Sequence, residues 1–271
     1  MIKQITEKAD LFKFFKKDLV LFGYHVGDLD DYFFKDCSFY CLHEKDDSIL
    51  ENICIYQKGD STPTVLVLST NPDLTNLTYI FGEMLKQKIL ISSFYIHFQT
   101  YEIFSNFNKL INIKNDFGKH LKLKFNLNKL NSLKEGIGFG DAKLITSDNL
   151  EQVEKLYKHN FPDNYFEPNI LKTNKYYGIW IDNKLVSIAG VHCMSVEFKV
   201  STLGNITTHI DYRRKGFCKR CVASVVVALI DSGIDSVSLN VKADNAAAIK
   251  LYQSLGFEVH CSIFEAEISV N

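Results

Sequence analysis

The stretch Ile210–Cys221, IDYRRKGFCKRC, gathers five cations, Arg213, Arg214, Lys215, Lys219 and Arg220, around one glycine, Gly216. It closes on a C-x-x-C of Cys218 and Cys221. Two chemistries fit these residue types. A thiol pair at a helix start is a redox or metal candidate, because the helix dipole lowers a thiol pKa there. A glycine flanked by cations at a helix start is a phosphate cradle. The first N–H groups of a helix lack internal partners, and a residue without a Cβ admits a close anion. A structural zinc site asks for four ligands, usually with a second close pair. Cys37 and Cys41, with His43 beyond, offer one only in the other half of the chain. Cys221 falls a turn inside an apolar helix, so two small buried thiols account for this pair, and no metal is expected. The alternative to a cradle is a basic helix start on a solvated face.

A second constellation follows. Asn245–Phe257 reads NAAAIKLYQSLGF. Asn245 and Tyr252 lie about two helical turns apart and so share one face. Together the two stretches resemble the GNAT N-acetyltransferase superfamily: R-x-x-G-x-C is similar to its Q/R-x-x-G-x-G/A motif, and N-x-x-A-x-x-L-Y-x-x-x-G-F to its later helix. The resemblance covers about residues 142–271. It implies an α/β (α+β) fold, with a mixed, mostly antiparallel sheet flanked by helices and splayed near its middle. It also implies acetyl-CoA or another acyl-CoA as cosubstrate and an unidentified amine as acceptor. Ile206, Thr207 and Thr208 would then pair with the pantetheine arm. Arg213, Arg214, Lys215, Gly216, Phe217, Cys218 and Lys219 would surround the pyrophosphate, with Asn245 also at the cofactor. Tyr252 would be the general acid for the leaving thiolate. Cys218 stands where the family prefers glycine or alanine, and Ile210 where proline is common. Some relatives carry a glutamate base on the strand after the long helix, where this chain has Asn240. Glu197, His192 and His209 remain as other groups, and none is chosen.

The elements that must position these residues are legible around them. Ser201–His209 reads as a strand. Gly216 opens a helix that ends near Gly233. Ser236–Lys242 alternates as a strand, and Ala246–Leu255 reads as a helix stopped by Gly256. Phe257–Ser269 supplies one or two strands. Upstream, Ala142–Thr146 is a strand, and Ser147 or Asp148 caps a helix to about Asn160. Tyr177–Ile181 and Leu185–Cys193 form a hairpin over Asp182-Asn183-Lys184. The segment Asn160–Lys175 is the candidate acceptor loop.

The first half runs through a similar order of elements. A helix over Leu11–Phe22 leads to strands Ser38–His43, Ile49–Gln57 and Thr64–Ser69. Helix Leu77–Lys88, strand Ser93–Phe98 and short helix Tyr101–Phe107 follow, with strands at Ile111–Ile113 and His120–Phe125. Its strand-to-helix junction, Ser69–Leu74, has no glycine and no cations. An accessory, degenerate second copy is therefore expected over residues 1–136 and the catalytic domain over 141–271, divided within Asn131–Asp141. A net charge of −1 is not the footprint of a general nucleic-acid binder. No apolar run approaches the roughly 20 residues that span a bilayer. The cytoplasm, with reduced thiols, is the expected compartment. The reading is an acyl-CoA-dependent N-acyltransferase. The alternative is a non-catalytic module that binds acyl-CoA as a sensor.

Overall fold

The computed structural model describes residues 2–136, 140–162 and 164–271. The chain divides into two compact units. One comprises Met1–Lys122, Lys242–Asp244 and His260–Asn271, and the other Leu123–Val241 and Asn245–Val259. The boundary expected between 136 and 141 thus falls earlier, and it is not a single cut. Residues 137–139 of the expected linker lie outside the described residues.

The first unit contains β1 (Ile2–Ile5), α1 (Lys8–Phe15), α2 (Gly23–Gly27), α3 (Asp31–Phe34), β2 (Cys37–His43), β3 (Ile49–Tyr56), β4 (Thr64–Val67), α4 (Thr75–Lys86), β5 (Phe94–Phe98) and most of β6 (Ile111–Phe125). The single helix expected over Leu11–Phe22 is broken, because Asp18 turns the chain by accepting from the N–H groups of Val20 and Leu21. The expected short helix at Tyr101 is a 3-10 turn ending at Phe104, and the two expected strands after it are one. Strand β4 lies parallel to β5, and every residue of β4 is in register with it, from Thr64↔Tyr95 to Val67↔Phe98. Helix α4 places Leu77, Ile80, Phe81 and Met84 on one stripe, which buries against Val65, Val67, Ile96 and Phe98.

The other side of β5 is taken by the end of the chain. Strand β12 (Phe257–Val270) pairs antiparallel with it, Phe264↔Phe98 to Ile268↔Phe94. Ala266 and Ile268 enter the α4 core. Twelve terminal residues expected in the catalytic half therefore belong to the N-terminal unit. Apolar burial at about 25 cal/mol per Å² favours the exchange, since Ala266 and Ile268 are fully buried in that core.

The second unit continues with α5 (Leu130–Lys134), β7 (Lys143–Leu144), α6 (Leu150–Asn160), β8 (Tyr177–Ile181), β9 (Lys184–Ser195), β10 (Val200–Thr208), α7 (Phe217–Asp231), β11 (Ser236–Lys242) and α8 (Ala246–Ser254). Its strands run in the order β11-β10-β9-β8-β7. Asp182 and Asn183 both have positive φ, as a two-residue hairpin between β8 and β9 requires. Thr146 and Asn149 form a capping box ahead of α6. Helix α7 buries Cys221, Val222, Val225, Val226 and Leu229. It ends in a Schellman motif: the Gly233 N–H donates to Ile230 and the Ile234 N–H to Leu229. The strand propensity of its valine run is overridden by this buried face. No helix among the described residues is long and apolar enough to cross a membrane.

The first unit carries buried titratable groups. Asp28, Cys37 and Cys54 bring ligand atoms within 4.8 Å of one another. Burial alone pushes the Asp28 carboxyl up to about 8. Because this folded pKa lies above the unfolded one, the stabilising protonated form is complete below about pH 4. It is lost progressively as pH rises through 8. The midpoint of thermal unfolding should therefore fall between pH 5 and 8 for the native chain. Calorimetry of Asp28→Asn, which stays neutral, should show a flatter profile and a higher midpoint at pH 8.

Candidate functional site

Strands β10 and β11 are parallel, yet their register runs only from Val200↔Ser236 to Leu203↔Leu239. Thr202 and Ser238 link their hydroxyls across the last part of this pairing at 3.2 Å. From Gly204 onward β10 stays with β9, reaching Thr207↔Ile188 and Thr208↔Ser187. Among the described residues its other edge, over Ile206, Thr207 and Thr208, has no strand partner. The parting coincides with a bulge between Gly204 and Thr207, where Asn205 adopts a left-handed φ of 54°.

Asn205 is locked by two tyrosines. The Tyr157 hydroxyl donates to its carbonyl at 2.6 Å, and its side-chain amide donates to the Tyr176 hydroxyl at 2.9 Å. Tyr176 in turn donates to the Val191 carbonyl at 2.6 Å. All three side chains are buried. Bonds of this kind contribute about 1 kcal/mol each, against roughly 1–2 kcal/mol for a left-handed residue with a side chain. The network therefore outweighs the strain. Gly190 makes room for it, because a Cβ there would stand 2.2 Å from the Tyr176 ring. The motifs pointed to the strand but not to this clamp. The signal was weak: an Asn in a strand interior tolerates a left-handed φ, and two tyrosines far away in sequence carry no pattern.

Beyond β10 the chain makes a 3-10 turn at Ile210–Tyr212 and enters α7 through Gly216, whose φ is 77°. Arg214 is left-handed as well, at 63°. No side chain caps α7, its first turn holds no acidic residue, and a Cβ on Gly216 would meet open space. The N–H groups of Phe217, Cys218 and Lys219 thus head the helix dipole with no carboxylate among them. Arg213 reaches back to the Thr208 carbonyl at 3.3 Å, so that acceptor is already taken. Arg220 pairs with Asp141 at 3.1 Å and lies over the Phe217 ring. Lys215 lies over Tyr212, while Arg214 and Lys219 are exposed. Phosphate oxygens suit this arrangement of free amides, left-handed backbone and uncompensated cations.

The corresponding start of α4 in the N-terminal unit is filled from within. Ser69 accepts from Asn71 N, Asn71 from Asp73 N, and Asp73 from Thr75 N. A carboxylate already holds the place where an anion would sit.

Helix α8 presents Tyr252 inward, packed edge-on against Phe257 at 5.9 Å. Burial, with the neighbouring Cys218, raises its phenol far above the ordinary value of 10. Burial also pushes the Cys218 and Cys221 thiols up to about 12, the reverse of a reactive pair. Asn245 accepts from Ala248 N at 3.1 Å and so caps α8. Of the other candidates, Glu197 is exposed in a turn, and His209 is held by Lys184 at 2.8 Å. His192 packs against Gly204. Asn240 follows the last parallel pair on β11, and its amide nitrogen is buried with no partner among the described residues. Position 163, within the expected acceptor loop, lies outside the described residues. Next to Gly216, a pocket of about 580 Å³ opens between α7, the end of α8 and α5.

The model of the acetyltransferase (GNAT) family matches residues 143–257. Over 57 residues the chain is 42% identical to the alanine N-acetyltransferase of ribosomal protein bS18 from Escherichia coli K12. That match covers 21% of this chain and 38% of the bacterial enzyme, so the chain spans less than half the length of the curated relatives it matches. Across its full length the fold resembles a Drosophila protein of known structure (TM-score 0.71, 12% identity, 100% of this chain and 98% of that one). It also resembles a tandem GNAT protein from the clavulanic acid biosynthesis pathway (TM-score 0.60, 10% identity, 100% and 98%).

The clamp can be tested directly. Asn205→Ala removes the amide donor and keeps the strained φ. It should destabilise the second unit by about 2 kcal/mol in urea titrations. Asn205→Gly, which relieves the strain, should cost less. Equal stability of all three proteins would remove the clamp from the account.

Proposed function

We propose that the chain is an acyl-CoA-dependent N-acyltransferase that moves an acetyl group from acetyl-CoA to an amine. The observation that carries this reading is the parting of β10 from β11 directly ahead of an uncapped, cation-flanked helix start. The open edge of Ile206–Thr207 suits the amide-bearing pantetheine arm. The N–H groups of α7, with Arg214, Lys215 and Lys219, suit the pyrophosphate. When bound, the thioester supplies an activated acyl carbon: the amine's C–N bond forms as the C–S bond breaks, and the surplus amine proton leaves to solvent. Tyr252 keeps its phenolic proton through neutral pH because burial disfavours the phenolate. It gives that proton to the departing sulfur and regains one from solvent. Asn240 offers an unused buried donor near the parting of the strands.

The N-terminal unit is, on this reading, a second copy of the fold that has lost its cofactor site. Its β4 never parts from β5, and Asp73 occupies its helix start. Calorimetry should accordingly find one acetyl-CoA per chain. Gly216→Asp should bind none, because its carboxylate repels the pyrophosphate, and far-ultraviolet circular dichroism should stay native. Undiminished affinity in that variant would sink the cradle.

Turnover tests the acid. Amines are screened by release of free thiol, and an alanine N-terminal peptide belongs in the panel because the Escherichia coli relative is an alanine N-acetyltransferase. Tyr252→Phe should lower kcat by about 10²-fold or more, with acetyl-CoA affinity nearly unchanged. The loss should widen at high pH, where the native phenol remains protonated but solvent is a poorer acid. Tight binding with no amine ever acylated would favour a sensor instead.

A further inference from the structure

Three ionisable groups meet inside the N-terminal unit, where acyl transfer gives them no part. Asp28 ends α2, Cys37 heads β2, and Cys54 lies within β3, and their ligand atoms all stand within 4.8 Å of one another. The strand pairing brings the thiols together. Cys37 lies opposite Tyr56, and Phe39 opposite Cys54, so Cys37 and Cys54 are diagonal neighbours on one face of the β2–β3 pair. Cys41 shares that face, but its Sγ accepts from the Asn52 amide at 3.1 Å and stands outside the cluster. The chain from α2 through α3 folds back onto Cys37. Its Sγ donates to the Phe33 carbonyl at 3.4 Å and approaches the Asp28 carbonyl at 3.9 Å.

Asp28 is the residue that packing alone does not explain. It is 8% exposed, and among the described residues its carboxylate has no hydrogen-bond or ion-pair partner. A carboxyl group desolvated without a partner is a cost to the fold. A cation bound between it and two thiolates removes that cost. Cys37 is half-buried and Asp28 keeps a little exposure, so an ion has a way in.

The donor set selects the ion. Calcium and magnesium prefer shells of oxygen, whereas two thiolates and a carboxylate suit zinc. Zinc bonds of about 2.3 Å to sulfur and about 2.0–2.2 Å to oxygen put tetrahedral ligand atoms roughly 3.5–3.8 Å apart, a spacing this cluster approaches. A disulfide is the competing chemistry. Its Cα atoms stand at most about 6.8 Å apart, and those of diagonal strand neighbours about 7–8 Å.

We infer that Asp28, Cys37 and Cys54 form a zinc site that clips the end of α2 to the β2–β3 pair, with solvent completing the tetrahedron. The ion takes the place of the two thiol protons and of any proton on Asp28. Without it, burial keeps all three groups neutral at neutral pH, and the pH profile of Asp28 belongs to that metal-free chain. The site is independent of the acyl-CoA reading.

The test is reconstitution of the full chain with zinc and with cobalt(II). Stripped by a chelator under reducing conditions, the native chain should retain one zinc per molecule after desalting, by elemental analysis. Its unfolding midpoint should rise by about 5 °C or more when free zinc is about 100-fold above Kd. Cobalt(II) should give thiolate-to-metal charge-transfer absorption. Cys37→Ser and Cys54→Ser should each lose about half of that band or more and bind at least about 10-fold more weakly. Asp28→Asn should keep the band, bind about 10-fold more weakly or worse, and gain less than the native chain in midpoint from zinc. Cys221→Ser, which breaks the C-x-x-C, should leave the cobalt spectrum unaltered. No zinc retained by the native chain, a band undiminished in both Cys37→Ser and Cys54→Ser, or a band lost in Cys221→Ser would overturn the site. If the serine variants do not fold, Asp28→Asn decides, and native affinity in that variant overturns it.

Discussion

Everything at the site depends on one strand leaving its neighbour. A parallel pair is stable when its backbone groups are exchanged along its length, so β10 has no reason of its own to abandon β11 after Leu203. The bulge at Asn205 supplies the reason. A left-handed residue in mid-strand shifts the register against β9, and hydroxyls of Tyr157 and Tyr176 hold the distortion from the protein interior. The exposed edge that results must find partners elsewhere. In the acyl-CoA-dependent function proposed above, the amide-bearing pantetheine arm supplies them.

The N-terminal unit is the control that the chain itself contains. It has the same parallel pair, preceded by antiparallel strands and followed by a helix on the apolar face. There β4 is short and fully paired, and the loop into α4 satisfies its own N–H groups through Ser69, Asn71 and Asp73. Its buried ionisable groups are held neutral by desolvation, which drives His25 down to about 3 and Asp28 up to about 8. Close packing and neutral buried groups characterise that unit.

Charge is distributed with the same economy. The chain is nearly neutral overall, yet the surface around Gly216 is cationic because no carboxylate was placed at the start of α7. The thiols nearby are inert for the opposite reason. At Cys218 and Cys221 a thiolate would lose its solvation, and at Cys221 that loss outweighs the neighbouring Arg220 charge and the Ser187 hydroxyl.

Much of this was legible along the chain, and the part that was not has a common cause. Gly216, its cations and the hairpin turn over Asp182-Asn183-Lys184 are local: each is specified by residues within a turn of one another, so spacing alone reveals it, whereas Asn245, expected at the cofactor, caps α8. The extents of β11 and α7 followed from periodicity and flanking glycines. The sequence by itself thus pointed to the fold of about residues 142–271, and with it to the helix start at Gly216. Only the tertiary structure decided where the units divide, because the pairing of β12 with β5 joins residues more than half the chain apart. Only it disclosed the Tyr157–Asn205–Tyr176 clamp and the pocket that Lys129 and Lys219 both line. Those contacts arise from the packing of distant elements, and no period or motif of a single segment encodes the distance between two side chains that meet only after folding.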